Sequence, residues 1–276
     1  MFRNCQTTII LLALLSLLGQ EASAQDDVAE RALKLEREVL AYRESLVNIQ
    51  AEISEKRGGR TTLKWKVWQK GDRIRFDRGW ATRERPAIFV KDDKHVYCRR
   101  LVTRAADNSS RWGDIEVNPV DWDAGLVFDV RVLGIIPTSP ISLYHRTLSA
   151  DTVLGKTRLQ RTAFEREILN GDEVVRIEMS SGESSSETIW IDETKGPSVV
   201  RVRYRAHYKG QLVEELMQVE LQQVGDNWFP AQLATQRYTG GSPIPKEFVT
   251  ISNVHLNEEI DDNLFDLEQL PPPTDR

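Results

Sequence analysis

Cysteine and histidine are scarce in this sequence: two cysteines and four histidines are spread over 276 residues. His95, His145, His207 and His255 stand singly. None sits in the His-x-x-x-His or Cys-x-x-Cys spacing that turns two ligands toward one ion, so a zinc site has little support. Cys5 precedes the first apolar run, the wrong side of it for lipidation. Cys98 is left without a second thiol once a leader is removed, so no internal disulfide is expected. It reads as a small buried apolar residue. A Gly-x-Ser-x-Gly elbow, a P-loop and a Gly-x-Gly-x-x-Gly turn are also missing, which removes three common frames for nucleophilic and phosphate chemistry. The net charge is −5 and charges of both signs are interspersed. Nucleic acid needs a clustered positive footprint, and there is none.

Only one long hydrophobic run occurs. Ile9 to Leu18 follows Arg3 and ends at Gln20-Glu21, the layout of a secretory signal with its h-region. It is too short for a membrane span, which takes about 20 apolar residues. Ala22-Ser23-Ala24 offers a small-x-small cleavage site. Residues 1–24 are therefore expected to be a signal peptide cut near Ala24-Gln25. The mature chain is expected to be periplasmic or otherwise exported, without a transmembrane segment.

What the mature chain does contain is amphipathic pattern. Val28, Ala32, Leu35, Val39, Tyr42 and Leu46 form one stripe of a helix, with Glu30, Arg31, Lys34, Glu36 and Arg37 read as its wet face,. The period then changes to two. Ile49, Ala51 and Ile53 alternate with polar residues, as do Leu63, Trp65 and Val67, then Ile74 and Phe76,. Ile88 to Val90 and His95 to Cys98 follow. Later, Phe164 to Leu169, Val175 to Met179, Ile189 to Ile191, Val200 to Ala206, Leu216 to Leu221 and Phe248 to Val254 read as strands joined by short turns such as Asn170-Gly171,. Phe265-Asp266-Leu267 reads as a short last strand, and 271–276 as a loose tail. Short turns between successive strands mean antiparallel neighbours. The fold class expected is mainly β with α: an incomplete antiparallel β-barrel, or curved sheet, wrapped around the N-terminal helix. A two-sheet sandwich is the alternative. Residues 112–150, rich in proline and without a clean period, read as an irregular or partly helical insertion, either a lid or a loop packed over the sheet. Its Asp114, Glu116, Asp121 and Asp123 are the only carboxylate cluster that suggests hydrolysis or calcium binding, and their spacing matches no calcium loop,.

The apolar residues of the alternating strands face one way. Trp65, Val67, Ile74, Phe76, Val202, Tyr204, Met217 and Val219 are the ligand-binding candidates. They line either a filled core or a cavity for an acyl chain, and the sequence leaves both open.

Ile88-Phe89-Val90-Lys91-Asp92-Asp93-Lys94-His95-Val96-Tyr97, Leu63 to Val67 followed by Arg73 to Phe76, and Phe265 to Pro271 together resemble the LolA-like periplasmic lipoprotein carriers. The helix leading into Ser45 to Ile49 also fits. Gln69 or Lys70 falls where those carriers place an arginine, in the turn between their second and third strands. The resemblance implies one domain over 25–270, an apolar cavity, and no metal, organic cofactor or catalysis. It implies partners that are lipid or lipoprotein acyl chains, with envelope proteins as further candidates. A protein-interaction or envelope-stress sensor module on the same scaffold is the alternative function, and a secreted hydrolase the third.

Overall fold

The computed structural model describes residues 25–78, 87–91, 96–103, 110–117, 129–135, 160–182 and 185–266. The expected signal peptide, the Asp92-Asp93 turn and the tail lie outside them. Helix α1 covers 25–44. Thirteen strands follow: β1 (Asn48–Arg57), β2 (Arg60–Lys70), β3 (Arg73–Arg78), β4 (Ala87–Lys91), β5 (Val96–Thr103), β6 (Ser110–Val117), β7 (Gln160–Leu169), β8 (Asp172–Ser180), β9 (Ser185–Asp192), β10 (Ser198–Tyr208), β11 (Gln211–Val224), β12 (Asn227–Thr239) and β13 (Ser242–Leu256). They form one antiparallel sheet in the order β6-β5-β4-β3-β2-β1-β13-β12-β11-β10-β9-β8-β7. The sheet is curved and not closed into a barrel. Every neighbour but one is a neighbour in sequence. The exception is β1 beside β13, which joins the two halves.

Side-chain alternation sends one set of residues to an inner face. One line of paired positions crosses the first half: Ala51, Val67, Phe76, Phe89 and Cys98. Another crosses the second: Ile177, Ile189, Val202, Met217 and Thr235. These residues, apart from Thr235, share one buried cluster with Ala32, Leu35, Val39 and Leu46 of α1. An amphipathic helix lying on the apolar face of a sheet removes both surfaces from water at once, at about 25 cal/mol per Å² of apolar area.

The outer face is not simply wet. Trp68 and Trp190 are buried there beneath cations: Arg75 lies 4.8 Å and Lys66 5.2 Å from the Trp68 ring, while Arg201 and Arg203 lie 5.5 and 5.7 Å from Trp190. Arginine stems and guanidinium planes thus roof the tryptophans that the sheet turns outward.

Three expectations change. Residues 112–117, read as the start of an irregular insertion, belong to β6 and pair with β5; ladder pairing overrides their broken alternation. Phe265, read as part of a final strand, ends a 3₁₀ turn, Asp262–Phe265, started by the Asp261 carboxylate accepting from Asn263 N–H at 3.0 Å. Glu36, read on the wet face of α1, is buried.

Candidate functional site on the inner face

Seven of the eight candidates come together. Trp65, Val67, Ile74, Phe76, Val202, Met217 and Val219 are all buried in the same apolar cluster. They come from both halves of the sheet, brought onto one surface by its curvature. Trp65 meets Phe76 edge-on, with ring centroids 6.4 Å apart, the favoured geometry for an aromatic pair.

Tyr204 is placed differently. It shares the inner-face parity of Val202 but is only half-buried and lies outside the apolar cluster. Its cross-strand partners are Glu187 and Glu215, and Glu215 is in turn opposite Arg237. A polar row, Glu187, Tyr204, Glu215 and Arg237, therefore borders the apolar middle. Arg237 pairs with Glu215 at 3.2 Å. Nearby, Arg161 of β7 reaches Glu36 of α1 at 2.7 Å. Burial raises the pKa of Glu36 against the opposing pull of Arg161, and it raises that of Glu215 against Arg237. Burial, with the adjacent Glu36 carboxylate, pushes Glu187 up to about 7. Sequence reading missed this row because Tyr204 was grouped with the apolar face, and Glu187, Glu215 and Arg237 look like ordinary polar strand residues.

A short strap covers the other end. Val130–Val132 forms a 3₁₀ turn, and Val130, Val132, Leu133 and Ile135 are buried in the core cluster. This is the described part of the expected insertion. The fully buried Gln69 holds it to the sheet. Its Nε2 donates to Asp129 Oδ1 at 2.9 Å and its Oε1 accepts from Val130 N–H at 2.9 Å. Arg131 closes against Asp129 at 2.5 Å. Gly134, at φ +81°, brings the strap so close to β11 and β12 that a Cβ there would lie 3.3 Å from both Pro230 and Val219. Gln69 thus binds strap to sheet.

Arg43 is the second charged residue on the buried face of α1. It is 0 % exposed, and its Nε, Nη1 and Nη2 have no hydrogen-bond partner among the described residues. Its guanidinium carbon lies 5.4 Å from the centroid of Phe229. Burial lowers its pKa to about 10, so it remains a cation at neutral pH. The carbonyls of the last helical turn and the aromatic face offset part of the penalty, but a desolvated charge without a counter-ion still costs several kcal/mol. The stripe does contain a signal for it. Arg43 stands four residues after Val39 and three before Leu46, so helical spacing alone puts it inside.

The remaining candidates do not assemble. Cys98 is buried in the core. His207 is exposed, and His255 is exposed beside Glu258 at 3.1 Å. Asp114 and Glu116 lie in β6, while Asp121, Asp123, His95 and His145 lie outside the described residues. Among the described residues no group of three potential ligands gathers around a metal position, and no helix is long and apolar enough to cross a membrane.

No protein-family model and no curated protein sequence matches the chain. Solved structures similar to it include a domain described as an outer-membrane lipoprotein-sorting protein from Vibrio parahaemolyticus, at 11 % identity and TM-score 0.45, covering 86 % of this chain and 97 % of that one. A DUF1329 family protein from Desulfovibrio piger is similar at 11 % identity and TM-score 0.46, covering 88 % and 99 %. A LolA superfamily protein from Nitrosomonas europaea is similar at 9 % identity and TM-score 0.46, again covering 88 % and 99 %.

Proposed function

We propose that this chain is an exported, non-catalytic carrier of an acyl-chain ligand, a lipid or the lipid part of a lipoprotein, with residues 1–24 removed and 25–270 acting as one domain. The observation that carries this reading is the inner face. Its apolar surface runs across both halves of the sheet, and its described covers, α1 and the strap, are held by side chains such as Tyr42, Gln69 and Arg161. Displacing a cover therefore breaks no strand pairing. An acyl chain entering against Trp65, Val67, Ile74, Phe76, Val202, Met217 and Val219 replaces cover-to-sheet contacts with chain-to-sheet contacts, while Tyr204 and the polar row border the wet end.

Titration with fluorescent acyl probes of increasing length tests it. Each buried methylene contributes about 0.8 kcal/mol before association costs, so affinity rises steeply with length. Phe76→Glu or Met217→Glu weakens binding because a carboxylate is costly in an apolar site, and Asp121→Ala or Asp123→Ala leaves it unchanged. Circular dichroism confirms that the variants fold. Binding without chain-length dependence removes the carrier reading.

A second reading is a protein-interaction module. Strand β7 is an edge of the sheet, and its Ile168 is 69 % exposed. Such an edge can accept a partner strand. Retained partner capture after Met217→Glu, with loss after Ile168→Asp, would favour it.

A further inference from the structure

We infer that Arg43 is the binding site for an anionic head, a carboxylate or a phosphate, of the amphiphile whose tail lies along the inner face. The inference rests on the carrier reading and specifies the chemistry of its cargo.

Three observations converge on it. First, Arg43 is fully buried and none of its three guanidinium nitrogens finds an acceptor among the described residues. Two partly buried cations that border the inner face are matched: Arg161 with Glu36 and Arg237 with Glu215. Arg43 alone in this set keeps its fork open. Second, it is set among residues of the apolar cluster. It stands on α1 between Val39 and Leu46, both in the core cluster, with its guanidinium toward Phe229 of β12. Phe229 adjoins Pro230, which the strap residue Gly134 approaches. Third, the fork is chemically selective. A guanidinium matches the two oxygens of a carboxylate or phosphate and offers nothing to an alcohol or ester head except a single weak donor. A water-excluding site strengthens that pairing. An arginine evolved only to fill space would be replaced by methionine or leucine at no loss, because those side chains carry no charge to desolvate.

The occupant is therefore an amphiphile with both parts: an apolar chain for the surface shared by Phe76 and Met217, and an anion for Arg43. A free anion would leave the apolar face unused, and a neutral lipid would leave the guanidinium bare.

The test uses the protein expressed from its full sequence and four probes with one tail: dodecanoate, dodecyl phosphate, dodecanol and dodecyltrimethylammonium. Inorganic phosphate is the fifth. Affinities are read by calorimetry and by native mass spectrometry. The expected result is that dodecanoate and dodecyl phosphate bind about tenfold or more tightly than dodecanol, one charge-assisted bidentate pair being the difference. The cationic probe binds weakest. Arg43→Met abolishes the preference while dodecanol still binds, and Arg43→Lys keeps the charge but loses most of the preference because the fork is gone. Should Arg43→Met fail to fold, the head-group series on wild type with Arg43→Lys decides. Equal affinity for dodecanol and dodecanoate in wild type overturns the assignment and leaves the carrier standing. Protection by inorganic phosphate as strong as by dodecyl phosphate overturns the amphiphile in favour of a free anion. Failure of every tailed probe to bind overturns the carrier reading itself and this assignment with it.

Discussion

The hydroxyl of Tyr42 satisfies both backbone groups of Trp228: it accepts from the Trp228 N–H at 2.6 Å and donates to the Trp228 carbonyl at 3.0 Å. A residue of α1 thereby acts as a strand neighbour at the start of β12. Gly196 lies against the same ring at φ +51°, where a Cβ would come within 2.6 Å of Tyr42. Tyr42→Phe leaves two backbone groups short of a partner and is expected to lower stability by about 1–3 kcal/mol. Gly196→Ala adds a steric clash to a left-handed backbone and is expected to cost at least as much. In the Tyr42→Ala background the Gly196→Ala penalty shrinks, because the clash partner is gone. Urea midpoints of the two single variants and the double variant check the coupling.

Gln69 gives a prediction about local rather than global stability. Replacement by leucine removes the acceptor of the Val130 N–H and the donor to Asp129 while keeping the side-chain volume. Global unfolding is expected to shift by about 1 kcal/mol. The strap shifts more: the Val132 and Leu133 amides, bonded to Asp129 and Val130 carbonyls at 3.1 and 3.2 Å, should exchange markedly faster. Unchanged exchange there would mean that apolar packing of Val130, Val132 and Leu133 alone holds the strap.

The polar row makes stability depend on pH. Glu187 has its pKa raised from an ordinary 4.5 to about 7 in the folded protein, and Glu36 and Glu215 are raised as well. The folded state therefore binds protons more tightly than the unfolded chain. The stabilisation is fully present below about 4.5 and is lost as pH rises through about 7. Asp192, held below its ordinary value of 3.8 by Thr194 and Lys195 against its burial, acts in the opposite direction and below that window. Between pH 4.5 and 7.5 the urea midpoint is expected to fall, with a change of order 1–3 kcal/mol after screening. Glu187→Gln, which keeps the shape and removes the titration, should flatten most of the slope.

Much of this was legible in the sequence, and the failures have physical causes. Ile49, Ala51 and Ile53, or Val202 with Met217, could be read because period-two alternation is unbroken there. Of β13 only Phe248 to Val254 was legible, and β12 was not legible as a strand of its own. Pro230 breaks the pattern inside β12, and the structure accommodates it at a register shift opposite Glu220 and Leu221. Pro243 and Pro245 do the same near the start of β13, whose register shifts at the facing Thr235 and Arg237. Glu36 and Arg43 were missed because charge argued for the surface while helical spacing argued for the core. Spacing won in both, with Arg161 compensating Glu36. The grouping of seven apolar candidates followed from parity alone. Tyr204 shows the limit of parity: it gives the face and not the neighbours, which here are Glu187 and Glu215.

The C-terminal turn supplies the last prediction. Ile88 and Val90 of β4 are buried on the outer face, and Phe265 packs on them. The turn is held by Arg75, which donates to the Leu264 carbonyl at 3.2 Å, by Lys70, which donates to the Ile260 carbonyl at 3.1 Å, and by the Arg73 guanidinium 5.1 Å from the Phe265 ring. Lys70 and Arg73 also pair with Asp262. Two kinds of interaction thus hold one turn, and they differ in exposure. Asp262 stands in water, which screens its pairs, whereas Phe265 shields apolar surface from water. Phe265→Ala is expected to lower stability by about 1–3 kcal/mol and, by uncovering Ile88 and Val90 beside one another, to make sedimentation concentration-dependent. Asp262→Ala should change thermal stability far less and leave the protein at its wild-type association state. If instead the Asp262 variant self-associates and the Phe265 variant does not, the turn is docked by its charges, and the apolar contact is incidental.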